Sequence, residues 1–465
     1  MKRLYAFIPL MVLLCVSISG QTEIPQLMST LWHQQDPFNA QCPLVDGKRP
    51  ASGCGAIAVG QMMYYYKQPT HGFGRAQYTP DNYTVDIDLT TCNFDYTKIL
   101  EQYNSSSSSS AKEAVASLVS AVGASMWMRY GEHSAPRTFP SMMWGLQHFL
   151  HFSPQSRFRY RRYYTTAEWL EMLNRELENK RPVLYRGVHT VQNDRSGHLF
   201  VIDGKDKNGR YHANFGHAKS TQDKYVDMSI INQGTDTFPG DYNVCYHHQQ
   251  AMVTDLYPVE GLTDADYDNV AVELNSPVIL NGDPHAKTIR ANGSVRLQFR
   301  IYYVRFTGGK GQLTGGFYKN GVLKGTSTTI RNISASNSGT NITFDREFTL
   351  PSGLPTGKYE MAVIYREDKD SPWVRGWDNT PNSIPAQLWS DGTWVFSMPN
   401  YHNLECNLYL ENPIKEASNG KSGGKTFELT VCNPTDNNFE DTIRLEVTNG
   451  LKSAQYELPT SVYDG

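Results

Sequence analysis

The texture of this 465-residue chain changes once, near Pro258, and that change limits the folds open to it. Before Pro258, apolar residues recur at helical spacing, as with Ala58, Met62 and Tyr65 at i, i+4 and i+7 within 55–67. A second helical window covers 111–130. A third, at 167–180, feeds a strand signal at Val183-Leu184-Tyr185. The serine run 105–110 reads as a surface loop. After Pro258 the helix signals stop, and short alternating runs such as 294–303 and 358–365 are punctuated by Asn-Gly and Gly-Gly turns. Helices first and strands later predict an α+β fold. Its divisions are a helix-bearing domain at 21–258, a β-sandwich at 259–402 and a second sandwich-like domain at 403–465, both of immunoglobulin-like type. The last stretch is short for a sandwich, so it is either incomplete or unusually small.

Within the helix-bearing part, Ala51-Ser52-Gly53-Cys54-Gly55-Ala56-Ile57-Ala58-Val59 sets a lone cysteine between two glycines at the head of an apolar run with no breaker until Pro69. Cys54 is therefore expected at a helix N-terminus, where unpaired N–H groups and the positive dipole end favour a thiolate. Such a thiol is expected to ionise below its ordinary value of about 8.5 and to act as a nucleophile. The flanking glycines leave room for an incoming carbonyl. The plainer alternative is a small buried cysteine capping a core helix.

A thiolate nucleophile needs a base, which in papain-like enzymes is distant in sequence. His198 lies 144 residues downstream and opens the apolar run Leu199-Phe200-Val201-Ile202 after Ser196-Gly197. It is the best placed of the 13 histidines. The chain then returns as Tyr211-His212-Ala213-Asn214-Phe215-Gly216, and Asn214 is a candidate to hold the imidazole. A tight turn at Asn208-Gly209 puts Asn214 opposite Asp203, whereas a loop centred near Asp206 brings it opposite His198. Upstream, Gln34 precedes Cys54 by 20 residues and can offer a side-chain N–H to an oxyanion, alongside the Cys54 backbone N–H.

These segments together resemble the streptopain-type cysteine peptidases (the pyrogenic exotoxin B type), a bacterial branch of the papain-like clan. The likeness runs through Trp32-x-Gln34-x-x-Pro37-Phe38-Asn39-x-x-Cys42-Pro43, then Gly53-Cys54 to Gln61-Met62-Met63-Tyr64-Tyr65 and Pro69. It continues through Gly123-Ala124-Ser125-Met126, Met128-Arg129-Tyr130-Gly131, Arg181-Pro182-Val183-Leu184-Tyr185, and Gly197-His198 to Asp203-Gly204, and it spans roughly 24–258. It implies a papain-like fold with Cys54 as nucleophile, His198 as base, Gln34 as oxyanion donor and Asn214 as orienter. It also implies protein or peptide substrates. The chain departs from the family where Asn-Trp-Gly-Trp-Gly-Gly is usual, reading Asn214-Phe215-Gly216-His217-Ala218-Lys219. That substitution thins the aromatic cover over the bond expected between Asn214 and His198.

Met1-Lys2-Arg3, the apolar run 4–18 and small residues up to Gly20 read as a secretory signal peptide at 1–20. The run is shorter than the ~20 residues of a spanning helix. The expectation is therefore a secreted, cell-surface or periplasmic protein that does not span a membrane. Trp32 then follows the signal closely, leaving no room for an inhibitory propeptide. Restraint would fall to a separate proteinaceous inhibitor or to oxidation of Cys54. A net charge of −3 gives no argument for nucleic acid. Cysteine usage is too sparse for a disulfide framework, although Cys406 and Cys432 are a candidate pair. No Cys/His spacing marks a metal site, His247-His248 reading as a surface pair, and no cofactor is expected. The reading is a secreted bacterial cysteine endopeptidase. The alternatives are a catalytically weak or inactive surface-binding module, or a cell-wall amidase using the same Cys–His chemistry.

Overall fold

The computed structural model describes residues 23–397, apart from 192–193, 218–223, 229–230, 232–245, 247, 268–271, 275–277, 281–287, 305–308, 337–339 and 380–382. It also describes the backbone of paired strands within 409–462. The expected signal peptide, Cys245, His247, Cys406 and the side chain of Cys432 lie outside the described residues.

The first region mixes helix and sheet. Helix α1 (Cys54–Tyr66) ends at Lys67, whose φ of 55° stops it ahead of Pro69. The hairpin β1 (Arg75–Tyr78) and β2 (Val85–Asp88) follows. Helix α2 (Ser109–Ser125) is capped by the Ser108 side chain, which accepts from the Ala111 N–H, so the end of the serine run starts a helix instead of looping. The short pair β3 (Met128–Arg129) and β4 (Ala135–Pro136) leads into α3 (Phe139–Leu150), capped by Thr138. The sequence pattern shows no helical window there. Of its twelve residues nine are buried, so the polar stripe that reveals an amphipathic helix is missing. Helix α4 (Thr166–Glu178) opens on a capping box between Thr165 and Glu168.

The central sheet is antiparallel, in the order β5 (Arg157–Tyr160), β10 (His248–Thr254), β6 (Val183–Val191), β7 (Asp194–Lys205), β8 (Tyr211–Asn214), β9 (Lys224–Val226). The run after His198 explains how it is covered. Leu199 and Val201 join the core built on α1, α2 and α3, whereas Phe200 and Ile202 join a second core with Trp169, Leu173 and Leu177 of α4. A strand buried on both faces reads as a continuous apolar run, and this one does.

Among the described residues, the elements of the second region are strands apart from a short helical turn at Asp264–Asp266. One sheet holds β11 (Val272–Leu274), β12 (Ile279–Leu280), β14 (Ser294–Tyr303) and β18 (Asn341–Thr349). The other holds β13 (Thr288–Ala291), β15 (Gly309–Lys319), β16 (Val322–Thr326), β17 (Arg331–Ala335), β19 (Gly357–Arg366), β20 (Val374–Arg375), β21 (Ser383–Leu388) and β22 (Trp394–Ser397). In β14 every second residue from Val295 to Tyr303 is buried, facing Phe317, Met361 and Trp394 from the other sheet in one shared core.

The two regions interlock. Trp377, from the segment between β20 and β21, is only 4% exposed and packs into the core of the first region. Beside it Asp378 pairs with Arg157 and Arg159, and the Asn379 Oδ1 accepts from the Phe158 N–H of edge strand β5 at 2.9 Å. The Asn379 amide donates in turn to the carboxyl of buried Glu273. Between 409 and 462 the chain forms three further antiparallel pairings, the longest joining Phe439–Asn449 to Lys452–Val462.

Candidate active site

Cys54 is the first residue of α1, as expected, but the glycines around it answer to geometry more than to substrate access. Gly53 has φ 89°, a conformation L side chains rarely adopt, and a Cβ there would collide with the end of Met128. A Cβ on Gly55 would stand 2.9 Å from the Leu199 Cδ1, so that glycine lets α1 close onto β7. The Cys54 Sγ accepts a hydrogen bond from the Leu199 N–H at 3.3 Å. The nucleophile candidate is thereby tied to the neighbour of His198.

The expected ease of ionisation is not found. Burial pushes the Cys54 thiol up; the backbone N–H groups of Leu199, Gly55 and Cys54, together with the positive charge of Arg186, pull the other way and do not win. Desolvation of a half-buried sulfur outweighs the helix dipole. The base responds in the opposite sense. His198, 7% exposed, has its imidazole pushed down to about 4 by burial, with its hydrogen bond to Phe215 opposing. Both effects favour the uncharged thiol and the uncharged ring.

The His198 Nε2 lies 2.8 Å from the Phe215 carbonyl oxygen. A carbonyl only accepts, so Nε2 carries the proton of the neutral ring and Nδ1 is the basic nitrogen. The ring stacks at 5.1 Å on Tyr246 and lies 5.9 Å from Phe200. His217, in place of a family tryptophan, has its ring 4.9 Å away, and the ring of Phe215 stands at 6.4 Å. Aromatic cover over the imidazole is kept with different residues.

Asn214 stands opposite Val201, because a bulge between Ile202 and Gly204 sets a register that neither expected turn produces. Its Oδ1 accepts from Gln61 Nε2 and from the Gly216 N–H, both at 3.1 Å, and its Nδ2 donates to the Thr30 carbonyl. The bond to the His198 ring comes instead from the next residue's backbone. Gln34 is brought close through its backbone: its carbonyl accepts from the Ser52 N–H at 2.9 Å, two residues before Cys54.

Three contributors escaped the sequence reading. The Phe215 carbonyl is invisible there because every residue carries one. Gln61 sits one helical turn beyond Ile57 and holds Asn214 from α1; its place in the family-like run was the available signal. Buried Asp203 bonds His212 Nδ1 at 2.6 Å and the Met28 N–H at 2.7 Å, pinning the N-terminal segment to β7. Cys42 and Cys92 form no disulfide, and burial pushes the Cys42 thiol up to about 11. Among the described residues no group of three or more His, Cys, Asp or Glu is placed to hold a metal ion.

Residues 32–225 match the Peptidase C10 family. Streptopain of Streptococcus pyogenes serotype M28 is 27% identical over 245 residues, which cover 48% of this chain and 59% of that protein. The thiol protease/hemagglutinin PrtT of Porphyromonas gingivalis is 24% identical over 356 residues, 74% of this chain and 38% of that one. The active wild-type interpain A cysteine protease of Prevotella intermedia is a structural neighbour with 27% identity and a TM-score of 0.46, covering 50% of this chain and 95% of that chain. The chain thus spans less than two thirds of the length of the curated relatives it matches. Over residues 32–225, then, the chain is similar to the Peptidase C10 family and to streptopain.

Proposed function

We propose that the chain is a cysteine endopeptidase with a papain-like catalytic domain at 21–258, immunoglobulin-like modules at 259–402 and 403–465, and protein or peptide substrates. The observation that carries this is the Leu199 N–H bond to the Cys54 Sγ, which sets the thiol beside the residue adjoining His198. From an uncharged pair, the thiol proton passes to His198 Nδ1 as the sulfur attacks the scissile carbonyl carbon. The Cys54 N–H and the Gln34 side chain receive the oxyanion. The C–N bond then breaks, and Nδ1 returns its proton to the leaving amine. Water next attacks the thioester while Nδ1 takes its proton, and expulsion of the sulfur restores the thiol.

Asn214 acts one residue removed from the ring. By accepting from the Gly216 N–H it fixes the turn whose Phe215 carbonyl holds Nε2–H. Export follows from the signal-like N-terminus. Among the described residues no helix is long and apolar enough to cross a membrane. The test is labelling by an epoxide thiol-protease inhibitor with mapping of the modified residue, beside digestion of casein and of peptidoglycan. Modification at Cys54 with casein cleavage is expected. An unlabelled chain would favour a binding module, and cleavage of peptidoglycan alone would favour an amidase.

A further inference from the structure

Helix α1 meets the central sheet through more than its leading residue. Cys54, Ile57 and Gln61 stand at i, i+3 and i+7, a spacing that puts three side chains on one helix face. At the leading end the Cys54 Sγ accepts from the Leu199 N–H. One turn on, Ile57 closes on the chain leaving β8, where a Cβ on Gly216 would stand 3.0 Å from the Ile57 Cγ2. About 10 Å along the axis from Cys54, the Gln61 Nε2 donates to the Asn214 Oδ1 at 3.1 Å. Gln61 and Asn214 are both buried. A buried amide is costly unless it is bonded, and this one bonds Asn214.

The direction of that bond is settled by backbone groups. The Asn214 Oδ1 accepts from the Gly216 N–H at 3.1 Å, and its Nδ2 donates to the Thr30 carbonyl at 2.8 Å. An amide turned the other way would set oxygen against carbonyl and NH2 against N–H. Asn214 therefore has one orientation, and Gln61 must meet its oxygen with the NH2 group. The Gly216 N–H and the Phe215 carbonyl belong to one planar peptide unit and point in opposite directions. Holding the N–H on Asn214 thus aims the carbonyl, which lies 2.8 Å from the His198 Nε2.

We propose that Gln61 is a positioning residue for the base: through Asn214 and the Phe215–Gly216 peptide it holds the His198 ring in the tautomer whose Nδ1 takes the Cys54 proton. The proposal rests on the peptidase reading above. Its consequence is that α1 carries both the nucleophile and the anchor of the base, so one rigid element sets their separation. The reaction is sensitive to that placement, since a shift of about 1 Å can cost about 10²-fold in rate. The tautomer is equally exposed, because the bond made by one ring nitrogen decides where the proton of a neutral imidazole resides.

The experiment compares the full chain with Gln61→Met, which keeps an unbranched side chain of similar length and loses the donor. Hydrolysis of fluorescein-labelled casein should show kcat lowered about tenfold with KM little changed. Nitrogen NMR of histidine-labelled protein, with the His198 signals identified by their loss in His198→Gln, should show Nε2 protonated in the wild type and a mixture of tautomers in the variant. Gln61→Glu is closer in shape and carries the test if the methionine variant does not fold. Its carboxylate offers Asn214 no donor, whereas its protonated acid does, so its kcat deficit against wild type should shrink from pH 8 to pH 5.5. A Gln61→Met kcat within about twofold of wild type would overturn the role. So would unchanged His198 signals, or a Gln61→Glu deficit equal at both pH values. Casein left intact by the wild-type chain would instead overturn the peptidase reading, and the His198 signals separate that failure from one at Gln61.

Discussion

The first region buries polar groups freely, and the second hardly does. Among the described residues, the buried polar side chains before Pro258 include His198, Asn214, Gln61, Asp203 and His212, clustered behind the candidate site. Beyond Pro258 they are Glu273, Thr314, Ser327 and Asn379, and two of these four lie where the second region meets the first. Backbone strain follows the same division: of the nine described non-glycine residues with positive φ, eight lie before Pro258 and only Asn320 lies beyond it. The sandwich is built as efficient burial requires; the first region instead holds a desolvated imidazole and thiol at the candidate site. Departures from local rules are expected to concentrate at working sites.

The comparison breaks most decisively at Cys54. Cys54→Ala should lower casein hydrolysis by about 10⁴-fold or more while leaving the fold intact; measurable turnover in the purified variant would remove the first region's claim to chemistry. Trp394→Ala, deep in the sandwich, should cost about 3–5 kcal/mol in urea unfolding with kcat unchanged under native conditions. A fall in kcat of the still-folded protein would show that the second region shapes the site.

Each region also holds a buried ionisable group, and their pH slopes oppose one another. Glu273 is raised from 4.5 to about 8 by burial, so the folded chain holds a proton the unfolded chain has lost between those values. Stability should then decline as pH rises through that window, by on the order of 5 kcal/mol at most. Glu273→Gln should flatten the decline. His198, lowered from 6.5 to about 4, does the reverse: the unfolded chain binds the proton first as pH falls. Stability should rise from pH 4 to 6.5 by about 3 kcal/mol, and His198→Gln should remove that rise. Between pH 4.5 and 6.5 the two slopes cancel in the wild type, so urea melts of the two variants across pH 4 to 8.5 read each slope alone, and variant profiles that run parallel to the wild type would contradict both assignments. The smallest effect is at Gln34, where Gln34→Ala should reduce kcat about 10²-fold with KM little changed. A change confined to KM would make Gln34 a substrate contact.

Much of this was legible in advance because it depends on local pattern. The alternation in 294–303 fixes β14 residue for residue, and the breaker at Pro69 fixes the end of α1 to within a few positions. The neighbourhood of Cys54 and His198 was legible through motifs, and the Leu199 N–H bond to the Cys54 Sγ brings the two segments together. Register was not: the β7–β8 bulge moves Asn214 opposite Val201, and no residue between 202 and 211 announces it. The direction of the Cys54 shift was missed for a related reason. A helix terminus is visible in sequence, but the depth at which it is packed is set by Leu199, Met126 and Pro136 from three other elements.

The segment at Trp377–Asn379 has a consequence for association between molecules. An outer strand of a sheet offers unpaired backbone groups to any neighbouring chain, and proteins commonly blunt such edges. Strand β5 is the outer strand here, and its Phe158 N–H is taken by Asn379 while Asp378 occupies the two flanking arginines. The second region therefore serves the first as a guard against strand addition. A proteolytic product lacking it would leave that border unprotected, and its expected failure is self-association edge to edge rather than simple unfolding.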